Sequence, residues 1–265
     1  PIPRLVRYYG AQLNGLQLPF NFGLMNTPWA AAPIGDLIAR YEAALPAGAW
    51  PNWVVGNHDI GRIATRIGSE GARLAAMLLL TLRGTPTLYY GDELGMVDVP
   101  IPADQVQDPF EKRVPGIGAG RDPERTPMRW DATPSVGFTT GTPWLPIGAG
   151  IETCNVEAER ADATSMLSLH RALLKLRRKR PALTLGSYER VPSEGDCLAF
   201  IRRHGNERLL VVLNFAKAPA MLKLPSEFAG GRVLLSTAME RGGSLTETVA
   251  LRPVEGLVLA PARPQ

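Results

Sequence analysis

Apolar residues recur along this chain with two different periods. Across 31–45, Ile34, Leu37, Ile38, Tyr41 and Leu45 fall three or four residues apart and stop at Pro46, which predicts a helix with one buried face. Across 163–180, Met166, Leu169, His170, Leu173 and Leu174 repeat that spacing until Pro181 closes it, predicting a second amphipathic helix. The stretch 70–82 is apolar on nearly all sides and reads as a buried crossover helix. Between these lie short apolar runs at 16–22, 52–56 and 85–90, bounded by Gly, Pro and Asn, which predict strands. Residues 3–9 start at Pro3 and stop at Gly10, the end of a helix already under way, so the chain is expected to begin in mid-element.

Strand, helix, strand, helix, strand is the pattern of an α/β layer in which helices cover both faces of parallel strands. Three strands are too few to close a barrel of eight. From about 182 the pattern changes to short alternating or apolar runs at 185–191, 197–203, 208–215, 220–224, 232–236 and 254–260, which predict a small antiparallel all-β domain. The division is therefore an α/β domain over 1–181 and an antiparallel β domain over 182–265. Within the first, 91–162 shows no long periodic run, far beyond the roughly 2–6 residues usual for a loop of this kind. Phe110, Trp130, Phe138 and Trp144 argue that this long loop is packed, because disordered segments are poor in aromatics.

Composition narrows the classes. The 265 residues are 45% apolar and 20% charged, an ordinary globular balance. A net charge of +4 suits a neutral substrate as well as an anionic one. The basic run 175–180 closes a helix, where cations meet the negative end of the dipole, and that reading outweighs a nucleic-acid patch. Cys154 and Cys197 with three histidines make no metal-ligand spacing, so no metal and no cofactor is expected. Two unpaired thiols point to a reducing, cytoplasmic compartment. The most apolar run, 74–82, is too short to span a bilayer, and no membrane partner is expected. The glycines of 116–120 follow no strand and open no helix, which argues against a phosphate cradle.

The candidate chemistry sits where 53–56 ends. Asn57, His58 and Asp59 crowd the point at which an apolar run stops, and the carboxyl ends of parallel strands are where reacting groups converge. An Asx-type turn is an equal reading of the same three residues. The neighbouring text adds to this: "NWVVGNHD" at 52–59, "AAMLLLTLRGTPTLYYGDELGM" at 75–96 and "RDPERTPMRWD" at 121–131. These three motifs, in this order, resemble the α-amylase superfamily of glycoside hydrolases, and within it the α-glucosidase and oligo-1,6-glucosidase branch.

The resemblance implies the C-terminal part of a TIM (β/α)8 barrel, with 16–22, 52–56 and 85–90 as strands six to eight, followed by the β domain. It implies a retaining glycosidase on malto- or isomalto-oligosaccharides, in which Asp59 stabilises the oxocarbenium-like transition state through the sugar hydroxyls. On the same ground His58 and Asn57 attend that sugar and Arg62 borders the adjoining one, while Phe22 and Trp130 offer apolar faces to pyranose rings. The family's nucleophilic Asp and acid Glu belong to barrel strands four and five, so this chain is expected to be inactive alone and to need the N-terminal barrel half or a covering chain. The GDELG text at 91–95 is a structural signature in the family, so Asp92 and Glu93 are read as turn residues. Two rival readings stand beside this one: a glucosyl-transferring or isomerising relative of the trehalose or isomaltulose synthase type, and a non-catalytic carbohydrate-binding or partner subunit.

Overall fold

The computed structural model describes residues 2–240 and 242–262. In chain order its helices and strands are α1 (Ile2–Leu5), α2 (Gly23–Asn26), α3 (Ala31–Ala44), β1 (Asn52–Val54), α4 (Ile63–Thr81), β2 (Thr85–Thr87), α5 (Pro109–Arg113), α6 (Val156–Ala161), α7 (Met166–Lys179) and α8 (Pro181–Thr184). There follow β3 (Ser187–Val191), β4 (Cys197–His204), β5 (Glu207–Asn214), β6 (Ala220–Lys223), β7 (Arg232–Ser236), β8 (Thr248–Leu251) and β9 (Gly256–Ala260). These pack as two units. The first takes the residues up to Val55, Arg73–Thr87 and those from Arg171 onward; the second takes Gly56–Ala72 and Leu88–His170.

In the first unit β1 and β2 run parallel, with Asn52 opposite Thr85 and Val54 opposite Thr87. Pro86, at the centre of β2, has no N–H to give. The Asn52 side chain adds donors to this pair: its Nδ2 donates to the Thr85 carbonyl at 3.1 Å and to Thr87 Oγ1 at 2.8 Å. Trp53 is fully buried, donates from Nε1 to the Arg83 carbonyl at 2.7 Å and meets the Tyr41 ring edge-on at 5.2 Å. The turn into β2 needs glycine, because a Cβ on Gly84, at φ 122°, would stand 2.5 Å from the Pro51 carbonyl oxygen. Upstream of it, Gly68 at φ 78° breaks α4 and leaves 70–81 as the apolar segment that the pattern predicts.

The expected strand at 16–22 does not form, so the described residues supply two parallel strands rather than three. Leu16, Leu18, Phe20 and Phe22 alternate as a strand would, yet all four are exposed, and no strand among the described residues pairs with them. Pro19 removes a donor from the middle of the run. The chain turns back locally instead, with the Gly15 and Leu16 amides donating to the carbonyls of Tyr9 and Tyr8.

The C-terminal sheet has five strands in the order β3-β4-β5-β9-β7, all neighbours antiparallel, and β6 pairs with β8 beside it. Alternate residues Ala199, Ile201, Leu210, Val212, Leu257 and Leu259 join Leu222, Phe228, Val249 and Leu251 in one core. The opposite face is buried too: Leu198 lies below Gly35 of α3, and Leu74 and Met77 of α4 lie below Gly256 of β9. Burial on both faces explains why β4, β5 and β9 read as continuous apolar runs rather than as alternating ones.

Two buried guanidinium groups, Arg177 of α7 and Arg202 of β4, tie their elements to the end of α4. Arg177 donates through Nη1 to the carbonyls of Leu80 and Leu82 at 2.9 and 3.0 Å, and through Nη2 to that of Gly84. Arg202, which has no exposed surface, donates to the carbonyls of Thr81, Gly186 and Ser187. Burial, aided by Arg177, pushes the Arg202 guanidinium down to about 9. The last turn of a helix leaves carbonyls without partners, and here side chains from other elements supply the donors. The basic end of α7 thus serves the terminus of a neighbouring helix as well as its own.

The second unit is mostly irregular, and its turns are fixed by side chains. Asp122 accepts from the Gln107 and Asp108 amides at 2.6 and 2.8 Å, Asp108 caps α5 through the Phe110 amide, and Asp131 accepts from Thr133. Glu111 accepts from the Gly116 amide at 2.7 Å and the Gly120 amide at 3.2 Å. A carboxylate therefore already sits where the glycine-rich run would have cradled a phosphate. His170, on the buried face of α7, faces the Met166 carbonyl at 3.1 Å from Nδ1 and is a core residue.

Candidate active site

Beyond β1 the backbone reverses through an Asx turn, in which Asn57 Oδ1 accepts from the Asp59 amide at 2.9 Å. The turn spends Asn57 on the backbone and leaves His58 and Asp59 facing outward, their side chains 64% and 47% exposed. The Asx-turn reading of the sequence is thus present. Asp59 Oδ1 accepts from Arg121 Nη1 at 3.1 Å and from Arg125 Nη2 at 3.2 Å. Arg125 also donates from Nε to the His58 carbonyl at 2.7 Å, so one guanidinium grips both ends of the peptide that carries Asp59. Among the described residues the charged-group neighbour of Asp59 Oδ2 is His58 Nε2, at 3.6 Å, and the Asp59 side chain is half exposed.

Arg121 is itself anchored. Its Nε donates to Asp108 Oδ2 at 2.7 Å, and this contact with the α5 cap lowers the Asp108 carboxyl to about 2. The chain Asp108–Arg121–Asp59–Arg125 alternates in charge, ends on the His58 backbone carbonyl, and fixes one oxygen of Asp59. Arg121 and Arg125 belong to this network, and the sequence reading above singles out neither. Their spacing of four within 121–131 is the only trace that the text carries.

Beneath this turn the unit is dense with buried charge. Arg62 has no exposed surface: it lies 5.2 and 4.8 Å from the ring centres of Tyr89 and Tyr90, donates from Nη1 to the Tyr90 carbonyl at 2.6 Å, and its amide donates to Asp98 Oδ1 at 2.7 Å. The expectation that Arg62 borders a sugar is corrected by this burial, because the side chain has no face open to a ligand. A Cβ on Gly56 would stand 3.0 Å from Asp92 Oδ2. Asp92 is 3% exposed, and neither of its oxygens accepts a hydrogen bond among the described residues. Burial pushes its carboxyl up to about 7, with Arg62 and Arg66 opposing and Glu93 adding. Burial also lifts Glu124 to about 7.

A carboxyl whose pKa is raised by folding holds its proton in the folded state where the unfolded chain has lost it, so stability falls as pH rises through that interval. For Asp92 the interval runs from its ordinary 3.8 to about 7. Asp92→Asn is expected to flatten the fall and to raise stability at pH 8 by on the order of 2 kcal/mol. Urea melts of parent and variant at pH 5 and pH 8 measure this; an equal pH response in both contradicts it.

Trp130, with its side chain half exposed, lines an open hollow of about 380 Å3 together with Tyr90, Glu93, Arg125, Phe138 and Trp144. Phe22, in the first unit, stacks on Phe20 with ring centres 5.8 Å apart and planes 7° from parallel. The two line a separate hollow of about 720 Å3 with Ile2, Leu5 and Leu37. Asn57, His58 and Asp59 stand together, and Trp130 shares Arg125 with them. Cys154 and Cys197 are both free thiols. Among the described residues no cluster of His, Cys, Asp and Glu is placed to hold a metal ion, and no helix is long and apolar enough to cross a membrane.

Comparison with known proteins covers both parts of the chain. Residues 5–186 match the family model of the alpha amylase catalytic domain, and residues 183–251 match that of the maltogenic amylase C-terminal domain. The oligo-1,6-glucosidase of Halalkalibacterium halodurans is 32% identical over 95% of this chain and 51% of its own length. The salivary alpha-glucosidase of Aedes aegypti is 34% identical over 86% of this chain and 41% of its own. Among solved structures, the isomaltulose synthase of Klebsiella sp. LX3 superposes with a TM-score of 0.86 at 26% identity, covering 99% of this chain and 54% of that one. The chain thus spans about half the length of the relatives it matches.

Proposed function

The chain belongs to the α-amylase family of glycoside hydrolases, and from that membership we propose that it is the C-terminal part of a retaining α-glucosidase acting on malto- or isomalto-oligosaccharides. In this reading β1 and β2, parallel and joined by α4, are barrel strands seven and eight, and the antiparallel sheet is the domain that follows the barrel. The partners are the oligosaccharide and the polypeptide that completes the barrel. The nucleophilic Asp and the acid Glu belong to that polypeptide. Coverage of only about half of each relative supports this division. So does the state of the carboxyls around Asp59: Asp92 and Glu124 are buried, and Asp108 and Asp122 are committed to backbone amides.

One observation carries the assignment of Asp59: its side chain is half exposed, and one oxygen is clamped by two guanidinium groups. A carboxylate so held accepts hydroxyl protons of a sugar without having to reorganise as positive charge grows at the anomeric carbon. His58, beside it, donates to the same ring without a permanent charge. Asn57 acts through the turn, and Arg62 through the floor beneath it, as positioning residues. Trp130 and Phe22 supply apolar faces for pyranose rings.

The transferring or isomerising reading keeps one specific support, the superposition on an isomaltulose synthase. Products separate the two. With maltose, isomaltose and sucrose as substrates, the barrel-complete enzyme is expected to release glucose in the α configuration from the first two. Isomerised disaccharide from sucrose as the main product would instead establish the transfer reading.

A further inference from the structure

The turn that displays Asp59 has two stems, and a carboxyl group stands against each. Asn57 bridges to Ile60, so Gly56 and Gly61 flank the closed turn. Neither glycine is at positive φ, so the backbone conformation calls for glycine at neither place. Space does. A Cβ on Gly56 would stand 3.0 Å from Asp92 Oδ2, and one on Gly61 would stand 2.5 Å from Asp98 Oδ2.

The two carboxyls differ in their commitments. Asp98 accepts from the Arg62 amide at 2.7 Å, and Arg66 donates from Nε to the Gly61 carbonyl at 2.9 Å, so hydrogen bonds fix the second stem. Against the first stem Asp92 is buried with neither oxygen engaged, and among the described residues Arg62 Nε and Nη2, buried as well, also meet no partner. A buried carboxylate needs a cation, whereas a buried neutral carboxyl does not. Burial acts most strongly on Asp92 and favours the neutral form; Arg62 favours the anion, Glu93 beside it opposes, and Arg66 favours the anion again. The two cations that act on Asp92 are therefore the residues that hold the second stem, and one proton bears on both stems of the turn.

We propose that Asp92 is a positioning residue for the reaction at Asp59, and that its ionisation works as a pH-sensitive element beneath the turn. Neutral, it packs on Gly56 and seats the turn. Ionised, it leaves Gly56 for the open nitrogens of Arg62, and the display of His58 and Asp59 loosens. The proposal rests on the reading of Asp59 given above and adds to it a residue that touches no sugar. Since burial pushes Asp92 up to about 7, the change falls near neutral pH.

Asp92→Asn tests this, because the amide keeps the shape of the side chain and cannot ionise. In the barrel-complete enzyme the ratio of parent kcat to variant kcat is expected to be constant below about pH 6 and to fall about three- to tenfold by about pH 8.5. KM is expected to change less than about twofold. The acid of the bond-breaking pair titrates in both proteins and cancels from the ratio. In this chain by itself, the 15N shifts of the Gly56 and Gly61 amides are expected to pass through an inflection near neutral pH that Asp92→Asn removes. A flat kcat ratio overturns the proposal, and so does an inflection that persists in the variant. The amide shifts need no turnover, and kcat of the Asp59→Asn enzyme is read separately, so the assignment of Asp59 and the role of Asp92 can fail independently.

Discussion

Replacing Asp59 by Asn in the barrel-complete enzyme is expected to lower kcat by about a hundred- to a thousandfold, the scale of one contact made in the transition state. The amide keeps the size of the side chain but has only one oxygen to offer. Held as the carboxylate is, that oxygen stays with Arg121 and Arg125, and an NH2 group then faces the sugar where an acceptor is needed. KM is expected to change far less than kcat, because the contact strengthens as charge develops. Stability is expected to hold within about 1 kcal/mol, since the ion pairs of Asp59 are half exposed. Arg121 keeps its bond to Asp108, and Arg125 keeps its bond to the His58 carbonyl. Steady-state kinetics on a chromogenic α-glucoside, with thermal melts alongside, measure both quantities. A fall in kcat of less than about tenfold removes Asp59 from this role.

What the chain spells out and what it conceals follow from the range of the interactions involved. The helices Ala31–Ala44 and Met166–Lys179 were legible because each buries one face and ends at a proline, both local signals. The paired strands Asn52–Val54 and Thr85–Thr87 were legible as short apolar runs around a buried crossover. The run 16–22 carried the same period of two and misled, because a strand exists only where a second backbone takes its hydrogen bonds, and nothing local reports on that. Thr248–Leu251 was missed for the opposite reason: only Val249 and Leu251 point into the core, too few to stand out as a pattern.

The site divides in the same way. The display of His58 and Asp59 was readable from a strand end followed by glycine. Their partners Arg121 and Arg125 lie more than sixty residues away, inside a loop with no period, and only the folded chain brings them to Asp59. Arg62 misled because an arginine three residues beyond an exposed His-Asp turn is ordinarily taken for a surface residue. Tyr89 and Tyr90, from the far side of α4 in sequence, give it a buried aromatic seat instead.

The second large effect concerns the chain as a whole. If the nucleophile and the acid belong to polypeptide outside these residues, then a correctly folded Asp59 network has no bond-breaking group to assist. Oxocarbenium stabilisation acts only on a bond that a nucleophile and an acid are already cleaving. The measurement that bears on this most directly compares turnover of a chromogenic α-glucoside by this chain alone with turnover by the same chain joined to the polypeptide that precedes it in its relatives. The account predicts no release above buffer from the chain alone and α-glucosidase activity from the joined form. Release by the chain alone at a rate near that of the joined form would contradict it and would require a catalytic pair among the carboxyls described above.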